Sequence, residues 1–183
     1  MEAAFVTPIF LLLLFAVIEG GVAFFGRLTI ANMALAGART ASGQGNDTLG
    51  DYYVLQSVAA AGGSFSGTDL GLVVVYRATT QAAKVPTICK SASVAGSCNR
   101  FVAADLAKDR SQFGCTGPPG PASKVDSYWC PTSRKVALGG ANSPPDYVGV
   151  YIEAVHWDLT GILGRKITLS SDRVFRIEPR TLT

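Results

Sequence analysis

Cysteine and histidine are the residue types in this sequence best suited to covalent, metal or acid–base chemistry. The four cysteines lie in one Gly- and Pro-rich stretch, with spacings of nine, seventeen and fifteen and without any Cys-x-x-Cys pair. This pattern predicts disulfides in an oxidising compartment and argues against a zinc site. Because short loops close most readily, we favour two pairings, Cys89–Cys98 and Cys115–Cys130.

The single histidine, His156, lies between two acidic residues, Glu153 and Asp158. In a strand, His156 and Asp158 would share a face and Glu153 would point to the other one. No placed nucleophile and no glycine-rich phosphate loop accompanies them, so a surface histidine is the better interpretation. Asp146, Asp158 and Asp172 lack the spacing of a calcium loop. The sequence therefore predicts no enzymatic activity, no metal and no cofactor.

The N-terminal segment is almost free of charge. Between residues 3 and 26 the only ionisable side chain is that of Glu19, and a helix over this range would be about 36 Å long. That length covers a hydrocarbon core of about 30 Å. A carboxylate near the middle of a membrane helix costs about 2.5–3.5 kcal/mol, and the apolar residues over 9–18 offset about 3–5 kcal/mol. We therefore predict that the segment inserts into a membrane.

The helical pattern continues beyond this apolar segment. Residues 27–39 contain no proline, so one helix over residues 3–42 would be about 60 Å long. A signal peptide would have a basic stretch before its apolar core and a cleavage site after it, which does not fit this pattern. Small residues recur at spacings of three or four over much of the helix and would let helices of several copies approach closely: Ala16, Gly20, Ala23, Ala31, Ala34 and Ala38. The alternative is a single-span anchor with incidental alanines.

The charges of the chain give no sign of nucleic-acid binding. The formal net charge is only +3, and no run of basic residues is longer than two. A protein that binds phosphate backbones needs a concentrated basic surface. We expect no nucleic-acid partner.

The order of features along the helix carries a family resemblance. It has Glu2, then Pro8 six positions later, a leucine-rich run over residues 11–14, Glu19, and an alanine-rich stretch over residues 34–41. This pattern resembles the TadE-like pilins, which are tight-adherence proteins of the type IV pilus superfamily. Parts of the C-terminal half also resemble actinobacterial members of that family: residues 145–153, 159–161, 168–173 and 176–180.

The resemblance implies roles for the charged residues of the helix. Glu2 would attract the N-terminal amine of the subunit already in the filament, since a carboxylate in hydrocarbon needs a cation. Glu19 could pair with Arg27 of a neighbouring helix or lie near the lipid head groups. In the superfamily this first glutamate is usually fifth in the processed chain, after a basic leader. We therefore expect either residues in front of Met1 or a start at Met1 that bypasses the usual processing.

The remainder of the chain predicts a small α+β head. A helix capped by Asp47 or Thr48 should follow the break at residues 43–46. The later elements should be a strand over residues 70–78, a short helix over 101–110, a strand over 147–157 and one or two strands over 167–177. We predict two domains: the apolar helix over residues 1–43, and a disulfide-stapled extracellular head with an antiparallel sheet over residues 44–183.

These features together predict a structural pilin. The subunit would wait in the cytoplasmic membrane and then polymerise through its helix into an extracellular type IV or Tad-like pilus used for adhesion. Its partners would be copies of itself, the membrane before assembly, and a pilus assembly platform with its motor. The alternative is a minor pilin or a membrane-tethered binding domain that does not form the bulk of a filament.

Overall fold

The structure is a computed structural model that describes residues 2–63, 68–121, 124–141, 143–157 and 166–179. At the margins of these ranges only the backbone is described for residues 2–5, 68–69 and 156–157. The described chain forms a long helix, a second helix packed beside it, and a four-stranded antiparallel sheet. The predicted α+β class, with a long N-terminal helix and a disulfide-bonded head, is confirmed.

Helix α1 spans Glu2–Gln44, which corresponds to about 65 Å. It ends because Gly45 adopts a left-handed conformation with φ 59°, and the Gly45 amide donates back to the Ala41 carbonyl. Asp47 then accepts a hydrogen bond from the Leu49 amide at 2.8 Å. The aspartate therefore organises the turn between the helices. It does not cap the second helix, although Asp47 was one of the two residues predicted to do so.

Helix α2 spans Gly50–Gly62, follows this short turn and packs antiparallel to α1. The sheet has strands β1 Thr68–Ala78, β2 Cys98–Phe101, β3 Tyr147–Trp157 and β4 Lys166–Arg176. Their order is β2-β1-β3-β4, and every neighbouring pair is antiparallel. The one or two strands predicted over residues 167–177 are the single strand β4. Strand β2 was not predicted from the sequence.

The alternation of side chains along the strands gives the sheet two buried faces. Val73, Val75, Val150 and Ile152 lie on the face that packs against α1 and α2. The opposite face carries a smaller cluster around Tyr76, together with Leu72, Val74, Tyr151 and Val174. The main core is therefore a helix–sheet interface, and the long helix is one of its walls.

The chain between β1 and β3 has little regular structure. It contains helix α3 over Thr87–Ser91 and three short 3-10 turns, Ala103–Ala107, Arg110–Gln112 and Pro131–Ser133. The helix predicted over residues 101–110 is wrong, because Phe101 completes β2 and the chain then turns on Asp105, whose carboxylate accepts from the Val102 amide. Disulfides Cys89–Cys98 and Cys115–Cys130 cross-link this region, and both were the favoured pairings.

A buried polar cluster joins this region to α2. Arg134 and Asp51 form a fully enclosed ion pair at 2.5 Å, and the Arg134 guanidinium lies 4.3 Å from the centre of the Trp129 ring. Asn99 donates to Asp51 at 2.7 Å and accepts from the Trp129 amide at 2.8 Å. Asp126 is also fully buried and accepts from the Gly114 amide. These bonds give the buried Asp51 carboxylate both a cation and an amide donor away from water, whereas Nε and Nη1 of Arg134 make no hydrogen bond within the described part of the chain.

Candidate functional site

The first part of α1 presents apolar side chains in every direction. We call residues 6–18 the free segment, because each of its side chains is exposed. Val6 and Leu13 are 63% exposed and Val17 is 75% exposed. A helix that is apolar all round needs a surrounding of lipid or of other protein. The free segment is therefore the principal candidate for an interaction surface.

The same helix meets the requirements for crossing a membrane. Within the part of the chain that the structure describes, it is the one helix that is both long and apolar enough, over Val6–Gln44, with a mean hydropathy of 2.4 in its best 18-residue window. Only 11% of that window is buried by the protein itself, so the apolar surface remains available.

The second part of α1 is covered by the head along one face. We call residues 19–44 the packed segment. From residue 26 onward its buried residues recur at helical spacing, and Glu19 lies seven residues, or about two turns, before them, which places the members on one stripe of the helix: Glu19, Gly26, Ile30, Met33, Ala34, Gly37, Ala38 and Ala41. Phe24, Phe25 and Leu28 lie off this stripe and stay exposed. The head thus covers one side of the helix and leaves the other side open.

Hydrogen bonds fix the upper end of this contact. The Ser42 hydroxyl donates to the Arg176 carbonyl at 2.7 Å, and the Glu178 amide donates to the Ser42 carbonyl at 3.1 Å. The distance along the helix axis from Ser42 back to Glu19 is about 35 Å. Strand β4 has 11 residues and is about 36 Å long. The β3–β4 hairpin, which packs on α1, is therefore long enough to run beside the whole packed segment.

Glu19 lies at the lower end of the buried stripe. Its side chain is only 2% exposed, although the residues before it are exposed. The carboxylate is therefore enclosed by its own chain and does not face lipid head groups. Arg27 is exposed and lies about 12 Å further along the axis. The predicted pairing of Glu19 with Arg27 of a neighbouring helix concerns a second copy of the chain and stays a prediction.

The predicted small-residue surface is divided between the two segments. Ala16 and Gly20 are exposed and Ala23 and Ala31 are partly exposed, so they remain open to a second helix. In contrast, Ala34 and Ala38 are completely buried in the core of the head. For these two residues the prediction of packing between copies is corrected, because α2 and the sheet already occupy their face of the helix.

Gly37 belongs to the same packed face and was not singled out from the sequence. A Cβ atom at Gly37 would lie 2.7 Å from Val58 Cγ2 and 3.1 Å from Val150 Cγ1. Helix α1 therefore approaches α2 and the sheet so closely here that only glycine fits. At Gly20 an added Cβ would meet nothing within 4 Å. Two glycines of one helix thus have opposite surroundings.

The remaining residues of the predicted assembly set are near the start of α1. Glu2 is the first residue of the helix, and Pro8 lies within it. The side chain of Glu2 is outside the described residues, so its implied role stays a prediction. Pro8 is exposed on the free segment.

The structure describes only some of the residues considered for acid–base chemistry over residues 153–158. The side chain of His156 and all of Asp158 lie outside the described residues. Glu153 accepts a hydrogen bond from the Tyr151 hydroxyl at 2.7 Å. Burial, and then this bond, raise the pKa of Tyr151. Among the residues that the structure describes, no group of three or more His, Cys, Asp or Glu side chains could hold a metal ion.

Comparison with known protein families gives a match that falls on this helix. The model of the family described as TadE-like protein matches residues 1–39, which include the free segment and most of the packed segment. No curated protein and no solved structure matches the chain. The apolar helix, whose free segment needs a partner surface, is thus the part of the chain that carries the family pattern. On this evidence the N-terminal helix of the chain is similar to that of the TadE-like protein family.

Proposed function

We propose that this chain is a pilin subunit that polymerises through its N-terminal helix into an extracellular Tad-like pilus. The observation that carries the proposal is the free segment, where every side chain of residues 6–18 is exposed and nearly all are apolar. Lipid would cover this surface before assembly. Helices of neighbouring subunits would cover it in the filament, so that the surface never faces water.

The division of α1 supports this proposal. The head covers one stripe of the packed segment only, so the helix can enter a bundle without unfolding the head. Ala16 and Gly20 lie in or next to the free segment and are open, which allows close approach of a second apolar helix. Filament contacts would then involve the free segment and the uncovered sides of the packed segment.

The proposed cellular path follows from these surfaces. The subunit would reside in the cytoplasmic membrane by α1, with its disulfide-bonded head on the oxidising side. An assembly platform and its motor would extract it into the pilus on the cell surface. The chain would act as a structural and adhesive component and not as an enzyme.

The first experiment concerns Glu2. Glu2→Ala should abolish filaments in sheared fractions of the producing cells while leaving the subunit in the membrane, because the added subunit would no longer have a carboxylate to attract the N-terminal amine of the subunit already in the filament. The matched control is Glu178→Ala, which removes an exposed glutamate from the head and should leave the filament yield unchanged. Unchanged filament yield in Glu2→Ala would show that the amine-pairing role is wrong.

A second experiment separates the major pilin from a minor pilin or a tethered head. A photo-reactive side chain at Leu13, which is 63% exposed, should cross-link to another copy of the chain in isolated filaments. A tethered head would give cross-links to lipid alone. Side-chain density for this helix at the axis of sheared filaments, seen by electron cryo-microscopy, would identify the chain as the major subunit.

A further inference from the structure

A polar pocket lies at one end of the sheet, on the opposite side of the head from the start of α1. Its volume is about 470 Å³, and it is lined by the ends of β1, β3 and β4 and by the chain around Ser97 and Lys135. Tyr147 pairs with Ala78 on one side and with Arg176 on the other, so these residues mark the same end of three strands. Pockets of this size accept small-molecule ligands.

The position of the pocket along α1 follows from the bonds that fix β4. Arg176 and Glu178 are tied to Ser42, close to the end of the helix. Ser42 lies 16 residues beyond Gly26, so the pocket is about 24 Å further along the axis than the end of the apolar segment. In a membrane-anchored subunit this end of the head is the one farthest from the lipid.

The pocket carries an excess of positive charge. Arg77, Lys135 and Arg176 line it, and the one carboxylate among its lining residues is that of Asp146. Asp146 Oδ1 accepts from Arg77 Nη2 at 2.9 Å and from Arg77 Nε at 3.1 Å. Asp146 Oδ2 accepts from the Lys135 amide at 2.9 Å. Each carboxylate oxygen therefore already has a donor, and the carboxylate holds the Arg77 guanidinium in a fixed orientation.

The arginines nevertheless keep access to a ligand. The Arg77 side chain is 46% exposed, whereas that of Asp146 is 9% exposed. A guanidinium has five N–H donors, and the two hydrogen bonds from Arg77 to Asp146 occupy one edge of it. The Arg176 guanidinium is exposed and lies 5.9 Å from the centre of the Tyr147 ring. The Tyr147 ring thus adds an apolar face beside these donors.

We propose that this pocket binds an acidic saccharide, with a uronic-acid carboxylate held by Arg77, Lys135 and Arg176. Arginine forks match the planar carboxylate by paired hydrogen bonds. The hydroxyls of Thr79 and Ser97, both lining residues, would bond sugar hydroxyls, and the Tyr147 ring would contact the sugar face. The outward position suits a ligand on a foreign surface. The inference concerns the head alone and does not depend on polymerisation.

The test uses the full chain purified in detergent and isothermal titration with trigalacturonate as the probe. Binding is expected, and it should weaken as sodium chloride is raised, because the attraction is between charges. Arg176→Gln should weaken it by roughly tenfold or more, since a charge-assisted hydrogen bond is lost. The matched control is Arg173→Gln, which removes the same charge from the same strand at an exposed position outside the lining residues.

The outcomes separate the alternatives. Retained affinity in Arg173→Gln with a loss in Arg176→Gln, at unchanged melting temperatures, supports the pocket. Equal binding of neutral maltotriose would overturn the assignment of an acidic ligand. Binding of inorganic phosphate without trigalacturonate would overturn the saccharide, and equal losses in both variants would indicate general attraction to a basic protein. Absence of binding by the wild-type chain would refute the proposal outright.

Discussion

The free and packed segments of α1 are parts of one continuous helix with opposite surroundings. In the free segment large side chains such as Leu13 and Val17 are exposed. In the packed segment the covered stripe is made largely of small residues, among them Ala34, Gly37 and Ala38, which are buried. Small side chains let α2 and the sheet come close to the helix axis. Side-chain size on one face thus separates the part of the helix that builds the head from the part left for other partners.

The largest expected effect comes from breaking the head while leaving the free segment intact. Arg134→Met would leave the fully buried Asp51 carboxylate without its counter-ion, and we expect the free energy of unfolding to fall by about 3–5 kcal/mol. Urea unfolding in detergent, followed by near-ultraviolet circular dichroism, measures this loss. Membrane fractionation should show unchanged insertion, because the free segment makes no use of the head.

The control for this prediction is the double variant Arg134→Met with Asp51→Asn. It removes both charges and should recover much of the lost stability, because the penalty comes chiefly from the unpaired carboxylate. If the double variant is as unstable as Arg134→Met alone, the ion pair is not the reason for the loss.

The next effect compares the two glycines of the helix directly. Gly37→Val should destabilise the head by about 1–3 kcal/mol or more, because the new side chain would collide with Val58 and Val150. Gly20→Val should leave the head unchanged, since an added Cβ has open space there. Both variants are measured by the same urea titration. Equal losses would mean that helix propensity, and not packing, explains the glycines.

A smaller effect is the pH dependence of the stability of the head, which comes from the buried Asp126 carboxyl. Burial raises the pKa of the Asp126 carboxyl above its ordinary value of 3.8. An acid whose pKa is raised on folding contributes most to stability when protonated, and that contribution is lost as the pH rises through the raised pKa. We therefore expect the wild-type chain to lose stability relative to Asp126→Asn between acidic and neutral pH. A constant difference between the two proteins across this range would contradict the prediction.

The smallest expected effect is in the free segment itself. Leu13→Ala removes a largely exposed side chain, so the unfolding free energy of the head should stay within about 0.5 kcal/mol of the wild-type value. The same substitution should lower filament yield if neighbouring helices cover the free segment. A loss of head stability in Leu13→Ala would show that the two segments are not independent.

Much of the architecture could be predicted because its signals are local. The long helix, the strands β1 and β3 and the disulfide pairings follow from runs of apolar residues, β-branched residues and short cysteine spacings. Strand β2 could not be predicted, because its residues 98–101 include Asn99 and Arg100 and show no clear alternation. Its place is fixed by pairing with β1 and by the bonds of Asn99 to Asp51 and Trp129.

The sequence by itself determined that the chain has an apolar helix able to cross a membrane, a disulfide-bonded head and a TadE-like N-terminal pattern, since composition and spacing along the chain carry these features. Only the tertiary structure decided which side of that helix is covered. Helical spacing shows that residues share a face, but it does not show what lies against the face, so Ala34 and Ala38 were assigned to contacts between copies. The structure also gathered Arg77, Lys135 and Arg176, which are far apart in sequence, at one end of the sheet. Strand pairing brings them together, and strand pairing depends on contacts between distant parts of the chain.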